Sequence, residues 1–421
     1  MKTKLLRVLG VVASLVTVAS MLVTAVPASA AAQSWEKITT PGNISWSPSG
    51  MVDEDVLWVG PLERAINGDL YCAVALDDEE GIFLFKSTDF GRTWKVLNGG
   101  DPIFEYDEPT ATLYSDVVFD IECSSTNANI VYVTNGYDIK KSINGGTTWV
   151  VMDNLFDEES LDVEPAGLIV SIAVGYYGGT AYIFAATSTF GGGAGGAYVF
   201  QESVFLSQWI DLEISNERVE LYSGNVDVLA IDTLPDFSTS QGIIAVVSDY
   251  SYGMTLVTTR FMGQQWAENA SDVVLMYNVV GPLSQDYVDA TLLDAVIWMP
   301  SDFSSDPESG SMSLYVGINP LSSDVPHSDS ATTPLSLVDV AQGDVFLCYF
   351  GEPGDPVPSY DLDVRGAFTG VAVSDMDGMG TSVANSLIMS GYTPDNWYTP
   401  HTWSSQDTGI TWYQDAKRPT G

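Results

Sequence analysis

From Asp55 onward the chain alternates short apolar runs with polar, glycine-bearing connections, and the runs fall into successive groups. The first group holds Asp55–Val59, Leu70–Val74, Ile82–Phe85 and Trp94–Leu97, with Ile66–Asp69 as a turn between its first two members. Runs of this length, rich in Val, Ile, Leu, Phe and Tyr and bounded by Gly, Asn and Asp, predict β-strands. The second group runs through Val117–Ile121, Ile130–Val133 and Ile139–Lys141 to a strand at Trp149. The third has Leu168–Ile172, Tyr182–Ala185, Ala197–Phe200 and Trp209–Ile210, and the fourth Val226–Ile231, Ile243–Val247 and Thr255–Thr258, with Trp266 closing it. A fifth group contains Leu293–Ile297, Leu314–Ile318 and Val345–Cys348, interrupted by a polar insertion holding Asp324, His327, Asp329 and Ser330. The sixth has Val371–Val373, Leu387–Met389, His401–Trp403 and a strand at Trp412. No stretch sustains a helical apolar period, so the expectation is an all-β chain.

The tryptophans give the repeat its length. Trp35, Trp94, Trp149, Trp209 and Trp266 are separated by 59, 55, 60 and 57 residues, and a further 146 lead to Trp412. Four-strand units at near-even spacing predict a β-propeller.

Between the third and fourth runs of the first group lies Ser87-Thr88-Asp89-Phe90-Gly91-Arg92-Thr93-Trp94. The same pattern, Ser-x-Asp-x-Gly-x-Thr-Trp, returns at Ser142, Asn144, Gly146, Thr148 and Trp149, with Asn in the Asp place. It returns again at Ser405, Asp407, Gly409, Thr411 and Trp412. The Asp or Asn oxygen can accept backbone N–H bonds inside a turn, and the Gly supplies a conformation other residues resist. The Trp then covers the turn with a large apolar face. On these residues the chain resembles the Asp-box, or bacterial neuraminidase repeat, family of β-propellers. That family includes sialidases, two-propeller xyloglucanases, sortilin-type receptors and photosystem II assembly factors.

The resemblance and the spacing together imply a propeller of six four-stranded blades plus an extra N-terminal outer strand, Ser34–Thr39. The alternative is a seven-bladed ring whose remaining strands lie beyond Gly421. Approximate blade limits are 50–98, 110–153, 165–214, 226–270, 290–352 and 367–415 within a propeller of 31–421. Residues 1–30 read as a signal peptide: Lys2, Lys4 and Arg7 precede an apolar stretch from Val8 to Val26, and Pro27–Ala30 offers a small-residue cleavage site. The expectation is an exported, extracellular or cell-envelope protein with no membrane span after signal removal.

Charge narrows the partners. The chain carries 15 basic and 55 acidic residues, and removal of the three basic residues of the leader leaves 12 against 55. Such a surface repels nucleic acid and anionic lipid. It suits a protein or glycan partner at the cell surface, or a surface lattice. Cys72, Cys123 and Cys348 are odd in number, sit in apolar runs and form no metal pattern. They are expected to be buried thiols, with at most one bridge among them.

Catalytic residues cannot be singled out among so many acids. A sialidase needs arginines converging on a carboxylate, a Tyr nucleophile with a carboxylate partner and an acid/base Asp. Of the six arginines after the leader, Arg92, Arg260 and Arg418 are expected to be peripheral or terminal, which leaves Arg64, Arg218 and Arg365. A neutral glycoside hydrolase needs two carboxylates at a set separation. Asp375-Met376-Asp377-Gly378 is a short acidic turn that suits calcium, the one candidate cofactor, against a plain turn. His327 and His401 belong to no metal or nucleophile constellation. Gly191–Gly196 is glycine-rich but is followed by a strand rather than a helix, so it reads as a flexible exposed hairpin and not a phosphate cradle.

The leading expectation is therefore a non-catalytic binding or surface-layer-like propeller. A sialidase- or xyloglucanase-type glycoside hydrolase is the opposing reading, and a membrane-complex assembly factor a third, carried by resemblance. The two main readings part at the central face, where an enzyme gathers carboxylates with shifted acidities.

Overall fold

The computed structural model describes residues 56–76, 81–104, 120–152, 155, 167–189, 194–202, 208–214, 226–249, 254–262, 266, 273–278, 291–299, 313–321, 344–349, 359–361, 387–392, 400–405 and 413–414. Their strands form six sheets, five of four strands and one of three, each a plain antiparallel meander in chain order. The first sheet is Val56–Arg64, Leu70–Leu76, Ile82–Ser87 and Lys95–Val96. The second is Asp120–Cys123, Val131–Thr134, Ile139–Ser142 and Val150–Val151. The third is Leu168–Tyr177, Thr180–Ser188, Ala197–Gln201 and Trp209–Asp211. The fourth is Val226–Thr233, Gly242–Asp249, Met254–Phe261 and Val273–Asn278. The fifth is Thr291–Trp298, Ser313–Leu321, Asp344–Tyr349 and Ser359–Asp361. The sixth shows Leu387–Tyr392, Pro400–Ser405 and Tyr413–Gln414.

Side chains alternate across a strand, yet the middle strands here are buried at nearly every position: Ile82–Ser87 has one partly exposed residue and Val131–Thr134 none. Both faces of these sheets must therefore be covered. They are covered by one another. One apolar cluster joins Tyr71, Ala73 and Leu84 of the first sheet to Ile121, Val131 and Val133 of the second. The next joins Tyr132 and Ile139 to Ile172, Val174 and Ile183 of the third sheet. Val170, Phe184 and Val199 of the third meet Val228, Ala245 and Val247 of the fourth. Leu229, Ile244 and Val246 of the fourth meet Ala295, Leu314 and Val316 of the fifth. The first strands of these five sheets also touch in succession. Face-to-face stacking of meanders with their first strands together is the blade arrangement of a β-propeller.

Polar links tie neighbouring first strands where backbone pairing is absent. Asp120 Oδ2 accepts the Ile172 N–H at 2.8 Å. The Ser171 hydroxyl contacts both the N–H and the carbonyl of Ile231 at 3.3 Å. Further out, Lys141 pairs with Glu202 of the third sheet, and Lys86 pairs with Asp69 at 2.7 Å within the first sheet.

Two octapeptide turns fall between the third and fourth strands of the first two sheets and share one hydrogen-bond skeleton. In the first, Ser87 Oγ accepts the Gly91 N–H at 2.8 Å and donates to Asp89 Oδ1 at 2.8 Å. Asp89 accepts from the Thr93 N–H and hydroxyl at 2.8 and 2.7 Å. In the second, Ser142 Oγ accepts the Gly146 N–H at 2.8 Å, and Asn144 Oδ1 accepts the Thr148 N–H at 2.9 Å. The Asn144 amide then donates to Thr148 Oγ1 at 2.8 Å, so Asn replaces Asp by reversing one donor. Trp94 is buried, and Trp149 Nε1 donates to the Gly146 carbonyl at 3.1 Å while its ring packs between the first two sheets. Of the third octapeptide, Ser405 ends a described strand; Asp407, Gly409, Thr411 and Trp412 lie outside the described residues.

Several expectations change. The fourth strand of the fourth sheet is Val273–Asn278, not a strand at Trp266. Trp266 makes a single bridge to Arg260, and its indole donates to the Leu212 carbonyl at 2.9 Å, so it plugs the seam to the third sheet. The end of the glycine run is not exposed: Gly195 and Gly196 are buried, and the fully buried Asp227 accepts from the Gly195 N–H and from the Thr189 N–H and hydroxyl. Asp232–Asp236 leads into a one-turn helix, Phe237–Ser240, whose Phe237 packs edge-on against Phe184 at 5.7 Å. Cys72 and Cys123 are free and buried. Cys348 lies in the strand Asp344–Tyr349, and nothing of its side chain is described. Residues 1–30, the strand Ser34–Thr39, the run Val371–Val373 and the glycines 191–193 lie outside the described residues.

Gly146 offers a direct test of how the turn locks the sheets. It has φ +88°, and a Cβ there would lie 2.4 Å from Leu97 Cδ1 of the first sheet. Gly99 has φ +72° with nothing within 4 Å. Urea unfolding is expected to show Gly146→Ala losing about 2–4 kcal/mol, from left-handed strain plus a clash. Gly99→Ala is expected to lose about 1 kcal/mol from strain alone.

Candidate functional site: carboxylates on the first strands

Four acidic side chains come from the first strands of three different sheets: Glu63, Asp120 and Glu122, and Asp232. Each sits in the part of its blade where sheets converge, and each is half-buried. Asp120 and Glu122 are two apart on one short strand, so they share a face and look toward the third sheet. There they take backbone donors: Asp120 from Ile172, and Glu122 from Val174. Glu63 and Asp232 accept only from the residues that follow them, Arg64 and Thr233.

These positions change the acidities. Loss of water around Glu63, with the charge of Asp232 in addition, pushes its carboxyl up to about 7. Burial likewise pushes Asp232 to about 7, offset in part by the Thr233 N–H. Glu122 is held well above the usual carboxylate range by burial first, then by the charges of Glu63, Asp232 and Asp120. The group therefore retains protons near neutral pH, because several like charges cannot all ionise in one poorly hydrated place.

A cross-strand row runs outward from each glutamate. Glu63 stands opposite Tyr71, which stands opposite Lys86. Glu122 stands opposite Tyr132, which stands opposite Lys141. Lys86 Nζ lies 5.0 Å from the Tyr71 ring centre and Lys141 Nζ 5.3 Å from that of Tyr132, so each cation faces an aromatic ring. Positive charge is thus kept at the rim and negative charge at the centre of these two blades.

The arginines do not join the carboxylates. Arg64 is exposed, Arg92 sits in the first octapeptide turn, and Arg260 is turned to the Leu212 carbonyl with its guanidinium 5.9 Å from the Trp266 ring. Arg218, Arg365 and Arg418 lie outside the described residues, as do Asp375, Asp377 and His327. His401 falls in the strand Pro400–Ser405. Among the described residues no group of His, Cys, Asp and Glu is arranged to hold a metal ion. Burial pushes the Cys123 thiol up, away from the reactive thiolate. A cleft of about 280 Å³ between the first two sheets is lined by Asn98, Pro102, Ile103, Lys140, Trp149 and Val151. Its lysine already donates to the Ile103 carbonyl. No helix among the described residues is long and apolar enough to cross a membrane.

The carboxylate group was not legible from sequence, where Glu63, Glu122 and Asp232 look like any of 55 acids. The available signal was positional: each follows an apolar run on the first strand of a repeat.

No protein-family profile and no curated protein matches the chain. Among solved structures it is similar to an ancestral GH74 enzyme, at 14% identity and TM-score 0.35, over 87% of this chain and 45% of that one. It is also similar to the α-L-arabinofuranosidase Arb93A from Fusarium graminearum, at 12% identity and TM-score 0.42, over 85% of this chain and 92% of that one. The WD40 domain of SCAP from fission yeast is a third, at 7% identity and TM-score 0.38, over 86% and 83%. The chain spans less than half the length of the GH74 enzyme.

Two opposite pH limbs follow from the geometry. Glu63 and Asp232, raised to about 7, favour the folded state while protonated. Their contribution is complete below ordinary carboxylate values and is lost as pH climbs to 7. Asp89 is held at about 2 by the Thr93 hydroxyl and N–H, so its contribution is present above about 4 and lost as pH falls toward 2. Tm is expected to peak at about pH 4–5. Asp232→Asn should flatten the decline between pH 4.5 and 7, and Asp89→Asn the acid limb; a profile flat across the neutral side in the wild type contradicts the assignment.

Proposed function

We propose that the protein is an exported carbohydrate-active propeller that hydrolyses a neutral glycoside, with Glu63 and Asp232 as its carboxylate pair. The observation that carries this is their placement: two carboxyls from the first strands of different sheets, each feeling little but the other's charge and each protonating near neutral pH. Glycoside hydrolysis needs one carboxyl that still holds its proton and one that has lost it, and two coupled groups near 7 supply that state at neutral pH. Asp120 and Glu122, committed to N–H groups of the third sheet, hold the neighbouring strands and raise the acidities beside them.

A neutral sugar is favoured over a sialoside because no described arginine stands by these carboxyls to hold a substrate carboxylate. The octapeptide turns support placing the chain among the Asp-box propellers. The glycoside hydrolases among the similar structures suggest substrates for a first panel. A non-catalytic extracellular binding protein is the competing reading, favoured by the structural use of Asp120 and Glu122.

The test is turnover of aryl arabinofuranosides, aryl glucosides and xyloglucan at pH 5–7, with an aryl sialoside as control. One neutral substrate is expected to be cleaved, and Glu63→Gln and Asp232→Asn should each lower kcat by about 100-fold or more. Retained folding in both variants, read by Tm, separates chemistry from stability. Wild-type protein inert across the panel, or variants as active as wild type, overturns the proposal.

A further inference from the structure

In an antiparallel meander the first-to-second and third-to-fourth connections emerge at one end, so the octapeptide turns share an end with turns such as Ala65–Asp69. On the first sheet these two turns touch: a Cβ on Gly68 would lie 3.8 Å from the Phe90 ring. What they present to solvent is unusual for an acidic protein. Phe90 and Ile66 are each 66% exposed, and Ile143 of the next octapeptide turn is 69% exposed. The exposed cations Arg64, Arg92 and Lys95 lie in or beside the same turns.

Phe90 is also in the wrong backbone conformation for its type. Its φ is +59°, and the equivalent residue of the second turn is Gly145 with φ +68°. The turn geometry requires a left-handed residue there, which Gly adopts freely and a bulky aromatic does not. An aromatic held in strain gains nothing from burial when it points into water. Strain combined with exposure marks a position used for contact.

We propose that this turn-end patch of the first sheet is a self-association surface that docks onto the acidic body of a second copy of the chain. Charge selects the occupant. With 55 acidic residues against 15 basic ones, the chain's own surface complements Arg64, Arg92 and Lys95, whereas nucleic acid and anionic lipid are repelled by it overall. Charge also selects the geometry. Patch against patch would set cation on cation, so the contact joins two different surfaces and continues head to tail rather than closing as a pair. The proposal is independent of any glycosidase activity.

The test is sedimentation velocity of the full chain from about 1 µM to about 100 µM, a range that reveals weak association. Wild-type mass is expected to keep rising with concentration past that of a dimer. Phe90→Gly installs the residue the second turn already uses, so its Tm should equal or exceed wild type while association weakens at least about tenfold. Ile66→Asp, on the touching turn, should have the same effect on mass. A wild type that stays monomeric, one that stops at a dimer, or a Phe90→Gly protein that associates like wild type overturns the proposal.

Discussion

Each sheet of this protein can bury both its faces only against other sheets of the same kind. A lone four-stranded meander with a strand such as Val131–Thr134, buried at every position, would leave one apolar face in water. Stacking removes it. At about 1.5–3 kcal/mol for each large apolar side chain taken out of water, clusters as large as those joining the third and fourth sheets outweigh any local propensity. The remaining features answer needs which that stacking creates.

The first need is at the centre. Where first strands of adjacent sheets approach without forming a common ladder, their edge N–H groups lose water and require partners. Side chains supply them: Asp120 and Glu122 reach Ile172 and Val174, and Ser171 reaches both backbone groups of Ile231. Crowding carboxylates there has its own consequence. Their mutual repulsion and poor hydration hold protons on Glu63, Glu122 and Asp232. A device that seals neighbouring strands thereby also creates acid–base chemistry at the same place.

The second need is at the rim, where strands are short and sheets splay apart. The octapeptide turns fasten this edge, and a comparison of the two shows which parts of the pattern matter. Asp89 and Asn144 hold the same N–H bond, so the oxygen is what counts, not the charge. Ser87 and Ser142 each accept from the Gly four residues on. Where the octapeptide has degenerated, other chemistry closes the seam: Arg260 and Trp266 both donate to the Leu212 carbonyl, linking fourth sheet to third.

The sequence by itself determined the strands and their grouping, because alternation, apolar runs and turn residues are local properties of adjacent side chains. Leu70–Leu76, Ile82–Ser87 and Ala197–Gln201 lie where the pattern put them, and Ser87, Asp89, Ser142 and Asn144 make bonds that their spacing alone implies. It could not determine which acids meet. Glu63, Glu122 and Asp232 are far apart along the chain, and only the packing of sheet on sheet brings their first strands together. Nor could it show that Trp266 plugs a seam rather than opening a strand, or that Gly195 lies under Asp227. Those outcomes depend on which neighbouring sheet offers a carbonyl or a carboxylate, and neighbours across a seam are set by tertiary packing, not by position in the chain.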